Sequence, residues 1–307
     1  MKLKTLLNTL GFLALAAAPV VAGTAPAPKN PIAPAPVNDD LGITASIGYD
    51  TNYVWRGLNF GQHWVRAGLN GSLLLMGGAS EDHAGNTYLN WDAQYGSFAG
   101  DQDHFGGVGN LSYQRLQLGA SLAHDFGPAT VSLGYRYYHN MGALPNGTTG
   151  GNMNDGQEVN LGLTTSLGPI DLTSSANYDY VNSSWYFDIN ASSTFAVTDV
   201  ISIVPFATVG YGHNMTWQFA RSQNTGVTST WGGATPGPTN VTGFTALTTG
   251  IRFPIKLNSR ATLIPYIAGN IPMGTTGNLA GAVRAAGASD NPYKSVLFGG
   301  VTLSISF

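Results

Sequence analysis

The chain has no cysteine. That excludes disulfides, a thiolate nucleophile and thiolate metal ligands. Charge is scarce: Asp, Glu, Lys and Arg make up 9% of the 307 residues, where about 25% is usual in a soluble protein. The formal net charge is −3, and loss of Lys2 and Lys4 with a cleaved leader takes it to −5. A weakly acidic chain offers no basic footprint for nucleic acid. Beyond the N-terminal segment no run is long and apolar enough to cross a bilayer as a helix, which takes ~20 residues. If this chain enters a membrane, it enters as strands.

Glycine (41 residues) and tyrosine (14) are abundant, and apolar residues alternate with small polar ones instead of clustering. The segment Gly300 to Phe307 shows this most clearly. Val301, Leu303, Ile305 and Phe307 fall on one side of a strand, and Gly300, Thr302, Ser304 and Ser306 on the other. A transmembrane strand needs an apolar residue toward lipid at every second position, with an aromatic at the membrane–water boundary. The segment resembles the C-terminal signal that bacterial outer-membrane proteins present to the barrel-assembly machinery. Gly300, Leu303, Ile305 and Phe307 would be its assembly residues.

The other end agrees. Lys2 and Lys4 precede an apolar run from Leu10 to Ala18, and Val20-Val21-Ala22 leads to a cut after Ala22. This is the pattern of a secretory signal peptide, residues 1–22. Pro19 ends the run at about half the length of a spanning helix. Residues 23–40 are rich in Ala and Pro and read as an extended periplasmic linker. The barrel domain then covers residues 41–307.

From Leu41 onward, period-2 alternation predicts an all-β, antiparallel, up-and-down transmembrane barrel of about twelve strands. The expected strands are Leu41–Asp50, His63–Leu75, Thr87–Tyr95, Tyr113–Asp125, Pro128–His139 and Gly156–Leu167, then Pro169–Tyr180, Ser184–Val197, Val200–Tyr211, Val241–Leu257, Arg260–Asn270 and Tyr293–Phe307. Tight links at Phe126-Gly127, Gly168, Thr198-Asp199 and Asn258-Ser259 alternate with long ones at 96–112, 140–155, 212–240 and 271–292. Short periplasmic turns, long extracellular loops and two periplasmic termini require that parity. Pro205 and Pro265, in the parallel phrases Ser202–Ala207 and Thr262–Ile267, predict local bulges or bends.

Alternation sorts the side chains. Leu133, Tyr135, Tyr137, Trp185, Phe187 and Ile189 face outward, and Tyr135, Tyr137, Tyr178, Tyr180, Trp185 and Tyr211 gather at the extracellular strand ends as an aromatic girdle. Asn90, Asp92, Gln94, Ser132, Asn160 and Asn177 face inward. A cation facing lipid near the midplane costs ~2–4 kcal/mol, so Lys and Arg on the strands should point into the lumen. The expected pore-lining charges are Arg66, Arg115, Arg136 and Arg252 against Asp92, Glu158, Asp179 and Asp188, with Lys294 on the same face. They serve either an open lumen that selects solutes or ion pairs that brace a filled one.

The end of the first strand reads Tyr49-Asp50-Thr51-Asn52-Tyr53-Val54-Trp55-Arg56-Gly57. It resembles the Y-x-S/T-x-Y-x-F/W-R-G opening of the TorF-type porin family. That resemblance implies an outer-membrane channel and carries no catalytic residues. Arg56, beside Tyr53 and Trp55, either braces the first loop or lines the mouth.

Evidence of catalysis in the sequence is thin. There is no His-x-Ser pair of the kind an outer-membrane phospholipase needs. Asp179 and Asp188 near His139 could imitate the acid–His arrangement of an outer-membrane protease. Glu81-Asp82-His83, and Asp101 and Asp103 with His104, hold possible metal ligands without a second pair at defined spacing. The expectation is a bacterial outer-membrane channel for passive passage of small hydrophilic solutes, with no cofactor, no metal and no catalysis. Its partners are the lipid bilayer and the assembly machinery. The alternatives are a scaffold barrel that binds partners through its loops and an outer-membrane hydrolase.

Overall fold

A computed structural model describes residues 42–77, 85–99, 113–141, 155–215, 241–274 and 294–307. The signal peptide, the linker and most of the long loops lie outside these residues. The strands, in chain order, are β1 (Ile43–Trp55), β2 (Leu58–Met76), β3 (Thr87–Phe98), β4 (Gln114–Asp125), β5 (Ala129–Met141), β6 (Gly156–Leu167) and β7 (Ile170–Asp179). They continue with β8 (Ser184–Ser192), β9 (Phe195–Ala196), β10 (Ser202–Met215), β11 (Val241–Arg252), β12 (Ile255–Lys256), β13 (Ala261–Pro272) and β14 (Val296–Ser306). The dipeptides β9 and β12 prolong β8 and β11, which leaves twelve staves. Each stave pairs antiparallel with its chain neighbour, and β1 closes the ring on β14. The chain forms a closed antiparallel up-and-down β-barrel.

The strands tilt. Direct partners from Ile43 lead through Gly71, Trp91, Ala120, Tyr135, Val159, Tyr178 and Trp185 to His213. That row starts at the terminal end of β1 and finishes at the opposite end of β10. Such a climb matches the tilt of about 35–45° that closed barrels adopt.

Turn chemistry at the terminal end explains the tight links. Thr198 Oγ1 accepts from the Ile201 amide (3.0 Å), and Asn258 Oδ1 from the Arg260 and Ala261 amides (2.8 Å each). Asp125 Oδ1 accepts from the Gly127 amide at 2.7 Å. These short side chains replace ladder partners that the reversing backbone loses.

Ile47, Leu69, Leu118, Leu122, Leu133, Leu161, Leu163, Ile189, Ile267 and Leu297 stand exposed on the outer face. An apolar face turned outward all round a ring has no place in water and suits lipid. Near the end opposite the termini, rings link strand to strand outside the wall. Tyr178 meets Trp185 (4.7 Å), Trp185 stacks on Phe187 (5.7 Å), Phe187 meets Tyr211 (6.3 Å) and Tyr211 meets Phe244 (5.6 Å).

Three expectations need correction. The first strand does not end at Asp50, nor does the second begin at His63. The chain stays paired to Trp55↔Leu58 and reverses over two residues, Arg56 (φ 52°) and Gly57 (φ 86°). Positive φ at both positions makes a hairpin turn whose twist matches the flanking strands. Second, Pro205 and Pro265 make no bulge. Each sits opposite a two-residue break in the neighbouring stave, at 193–194 and 253–254, and the register is the same on both sides of the break. Ser193 and Phe253 still donate to the proline carbonyls at 3.3 and 2.9 Å. Only the proline N–H is missing, so one ladder bond is lost and nothing shifts. Third, Lys294 precedes β14 and is exposed, so it does not share the inner face.

Candidate functional site

Halfway along the barrel the wall releases the β1–β2 hairpin. Pairing of β1 with β14 ends at Asp50↔Gly300, and pairing of β2 with β3 ends at Trp64↔Phe98. β1 and β2 stay paired with each other beyond that point, with one register shift at Tyr53/Val54. Residues 51–63 therefore form a two-stranded ribbon that shares the wall's strand pairing only at its base.

The ribbon folds into the lumen. A wall strand hides every second residue. Here Asn52, Tyr53 and Val54 are buried in succession, and so are all residues from Arg56 to Gly61. Consecutive burial requires protein on both faces of the ribbon. The bend falls at Gly61 (φ 152°) and His63 (φ 59°). His63 holds left-handed geometry without being glycine, and its Nδ1 is hydrogen-bonded to Tyr49 Oη at 2.6 Å.

The tip reaches across to other staves. Arg56 grips Glu158 on β6 with both terminal nitrogens, at 2.7 and 2.8 Å. Its guanidinium lies 4.6 Å from the ring centre of Tyr186 on β8. Asn270 on β13 donates to the Gly57 carbonyl at 3.0 Å. A Cβ on Gly57 would sit 2.6 Å from the Ala246 Cβ on β11, so the tip seats only because that position is glycine.

Behind the tip the filling is aromatic and cationic. Tyr53 stacks on Trp64 at 4.1 Å, and Phe60, Phe98 and Tyr113 close round them. Arg115 donates to Tyr53 Oη at 2.9 Å and lies between Trp55 (4.3 Å) and Tyr138 (3.9 Å). Tyr138 Oη donates to Glu158 at 3.0 Å, which joins Arg56, Glu158, Tyr138, Arg115 and Tyr53 in one network. At the base of the ribbon, Asp50 accepts from Arg66 Nε (2.9 Å) and Tyr266 Oη (2.7 Å), and Arg66 donates to Thr302 at 2.8 Å. A void beside Tyr53, lined by Trp64, Gln94, Gly96, Arg115 and Gln117, has room for about one water.

On the terminal side of the ribbon the inner face is wetter. Ser46, Asn70, Asn90, Ser121, Ser132 and Thr173 are partly exposed there. Among the described residues the lumen is a polar, partly exposed vestibule toward the termini and is filled toward the opposite end.

The eight expected pore-lining charges separate on this plan. Arg66, Arg115 and Glu158 are buried in the filling. Arg136 and Asp92 face each other at 3.5 Å, both partly exposed, with Gln117 donating to Asp92 at 2.9 Å. Gly119 leaves room for that contact, since a Cβ there would stand 2.3 Å from Asp92 Oδ1. Asp188 accepts from Ser175 at 2.6 Å. Asp179 caps the β7–β8 turn, accepting from the Val181 and Asn182 amides at 3.0 Å each. Arg252 lies 4.3 Å from the ring centre of Phe206.

The protease-like arrangement does not form. His139 pairs with Asp155 at 2.9 Å on the outer rim, while Asp179 and Asp188 are bound to the groups just named. Burial works to raise the Asp155 pKa, but hydrogen bonds from Tyr137, His139 and the Asn140 amide prevail and hold it below the ordinary carboxylate range. Glu81, Asp82, His83, Asp101, Asp103 and His104 lie outside the described residues. Among the described residues no three His, Asp or Glu side chains converge as metal ligands do.

Sequence reasoning missed the inner packing role of Asp50, Tyr53, Tyr138 and Asn270. Only Tyr53 carried a signal, through its place beside Arg56.

No family model matches this sequence, and neither does any curated protein. Solved structures do resemble it. The KdgM porin aligns at 9% identity over 86% of this chain and 99% of its own, with a TM-score of 0.44. An outer membrane channel from Pseudomonas putida F1 aligns at 10% over 89% and 99%, with a TM-score of 0.46. LpxR from Salmonella typhimurium aligns at 8% over 86% and 100%, with a TM-score of 0.48. At this level of likeness neither a family nor an activity is assigned.

Proposed function

We propose that this chain is an outer-membrane channel of porin type, passing small hydrophilic solutes without catalysis or cofactor. Within that reading it is a TorF-type porin, exported by the signal peptide 1–22, with both termini in the periplasm. One observation carries the proposal: an apolar outer face surrounds an inner face of Ser, Thr, Asn and paired charges. A barrel that only anchors loops has no need of a wet vestibule. Arg136 and Asp92, at the floor of the filling, sit side by side on the wall and give the path a patch of paired charge. Such a patch favours polar solutes over apolar ones and strongly prefers neither sign of ion.

Liposome swelling tests this. Vesicles holding the full-length folded protein should admit small sugars faster than empty vesicles, and equal rates would overturn the proposal. A second reading has its own support. The void beside Arg115 takes about one water, which suits a closed scaffold barrel that binds partners through residues 212–240 and 271–292.

A further inference from the structure

We propose that the β1–β2 hairpin is a gate with two positions. In one it fills the lumen, as described above. In the other it stands in the wall beside β14 and clears the lumen. That this motion controls passage rests on the channel reading, whereas the motion itself does not.

The wall keeps a place for the ribbon. β14 continues past its last β1 partner, and Val296 to Gly299 pair with β13 on one side only. Among the described residues no strand lies along their other edge. An exposed row of backbone donors and acceptors is a template for a further strand. Extending the present β1–β14 register would set Thr51 against Gly299, Asn52 against Phe298, Tyr53 against Leu297 and Val54 against Val296. The Gly299 amide already points that way and donates to Thr51 Oγ1 at 3.0 Å, where a ladder would use a carbonyl.

The alternation of the ribbon also suits a place in the wall. Continued outward from Tyr49, alternation turns Thr51, Tyr53 and Trp55 toward lipid and Asn52 and Val54 inward. Tyr53 and Trp55 would then join Tyr49 and Tyr95 in the outer aromatic belt, where amphipathic rings are favoured. The inner position is tied at its tip by polar contacts, Arg56 to Glu158 and Asn270 to Gly57, which water can replace, and behind the tip by the packing of Tyr53, Val54, Leu58 and Phe60. The bend is local, at Gly61 and His63.

A disulfide trap tests the motion directly, because the chain has no cysteine of its own. Tyr53 is wholly buried inside, and Leu297 is 73% exposed outside. Tyr53→Cys with Leu297→Cys can therefore bridge only when the ribbon enters the wall. In the full-length folded barrel, oxidant should crosslink the pair, and the crosslinked barrel should conduct continuously in a planar bilayer until reductant is added. Glu158→Gln keeps the Tyr53 stacking and covers the case where the double variant does not fold. It should raise the fraction of time spent open at least about tenfold. Crosslinking without current would keep the motion and overturn the channel reading. No crosslinking, with equal steady currents in wild type and Glu158→Gln, would overturn the gate and keep the channel.

Discussion

Arg56 and Asp50 show how single residues decide what fills the lumen. Each is a buried charge with its counterion in place, Arg56 with Glu158 and Asp50 with Arg66. Breaking such a pair from one side costs about 3–5 kcal/mol, because it strands the other charge away from water. We expect Asp50→Ala to lower stability by that order in urea unfolding followed in detergent. Tyr266→Phe removes only one hydrogen bond to the same carboxylate and should cost about 0.5–1.5 kcal/mol. Equal losses would mean that Asp50 does not organise the site. Gly57→Ala meets both a positive φ and the Ala246 side chain, so the hairpin tip should unseat. The measurable result is faster proteolysis between Thr51 and His63 in the folded barrel, with the rest of the wall still protected. Little of this was legible in advance. Alternation tells which side of a wall a residue takes, but not that Glu158 would meet a residue from a turn far off in the chain.

At the scale of the element, the strands were legible and the ribbon was not, for the same reason. A wall strand has lipid on one side and water or packed polar groups on the other, so its sequence has period two. The bounds of β6 are those expected, and those of β3, β4, β5 and β7 differ from expectation by a few residues. Residues 51–63 leave the wall, and the run Leu58-Asn59-Phe60-Gly61 is buried throughout although its sequence alternates. Alternation does not tell a strand in the wall from one folded into the lumen. Pro205 and Pro265 were legible as interruptions but not as in-register ones, because a missing N–H and an inserted residue look alike in sequence. The face assignment itself has a direct test on β5. Leu133 is exposed to the outside, and its neighbour Ser132 faces the vestibule. Leu133→Arg should destabilise the membrane-inserted barrel by ~2–4 kcal/mol, and Ser132→Arg far less. Equal damage in urea titrations of the barrel in vesicles would mean the register is wrong.

For the whole molecule, closure and filling are separate matters. Closure depends on the last strand. The Phe307 amide donates to the Ile43 carbonyl at 2.9 Å, so the two ends of the ring meet at the terminal rim. Deleting Phe307 should reduce the heat-modifiable, inserted form in cells and increase degradation. Unchanged insertion would contradict an assembly role for that residue. Filling depends on the hairpin, and it divides the two arginines that sequence placed together. Arg136 faces the vestibule beside Asp92, and Arg136→Ala should shift the reversal potential in a salt gradient toward cation preference. Arg115 is wedged between Trp55 and Tyr138, so Arg115→Ala should loosen the hairpin and change how often current flows more than which ion carries it. The measurement that bears most directly on the account is a single-channel recording of the full-length wild-type protein in a planar bilayer. A polar lumen filled by its own hairpin should give long closed periods broken by brief openings. A large, steady conductance from the first insertion would contradict it.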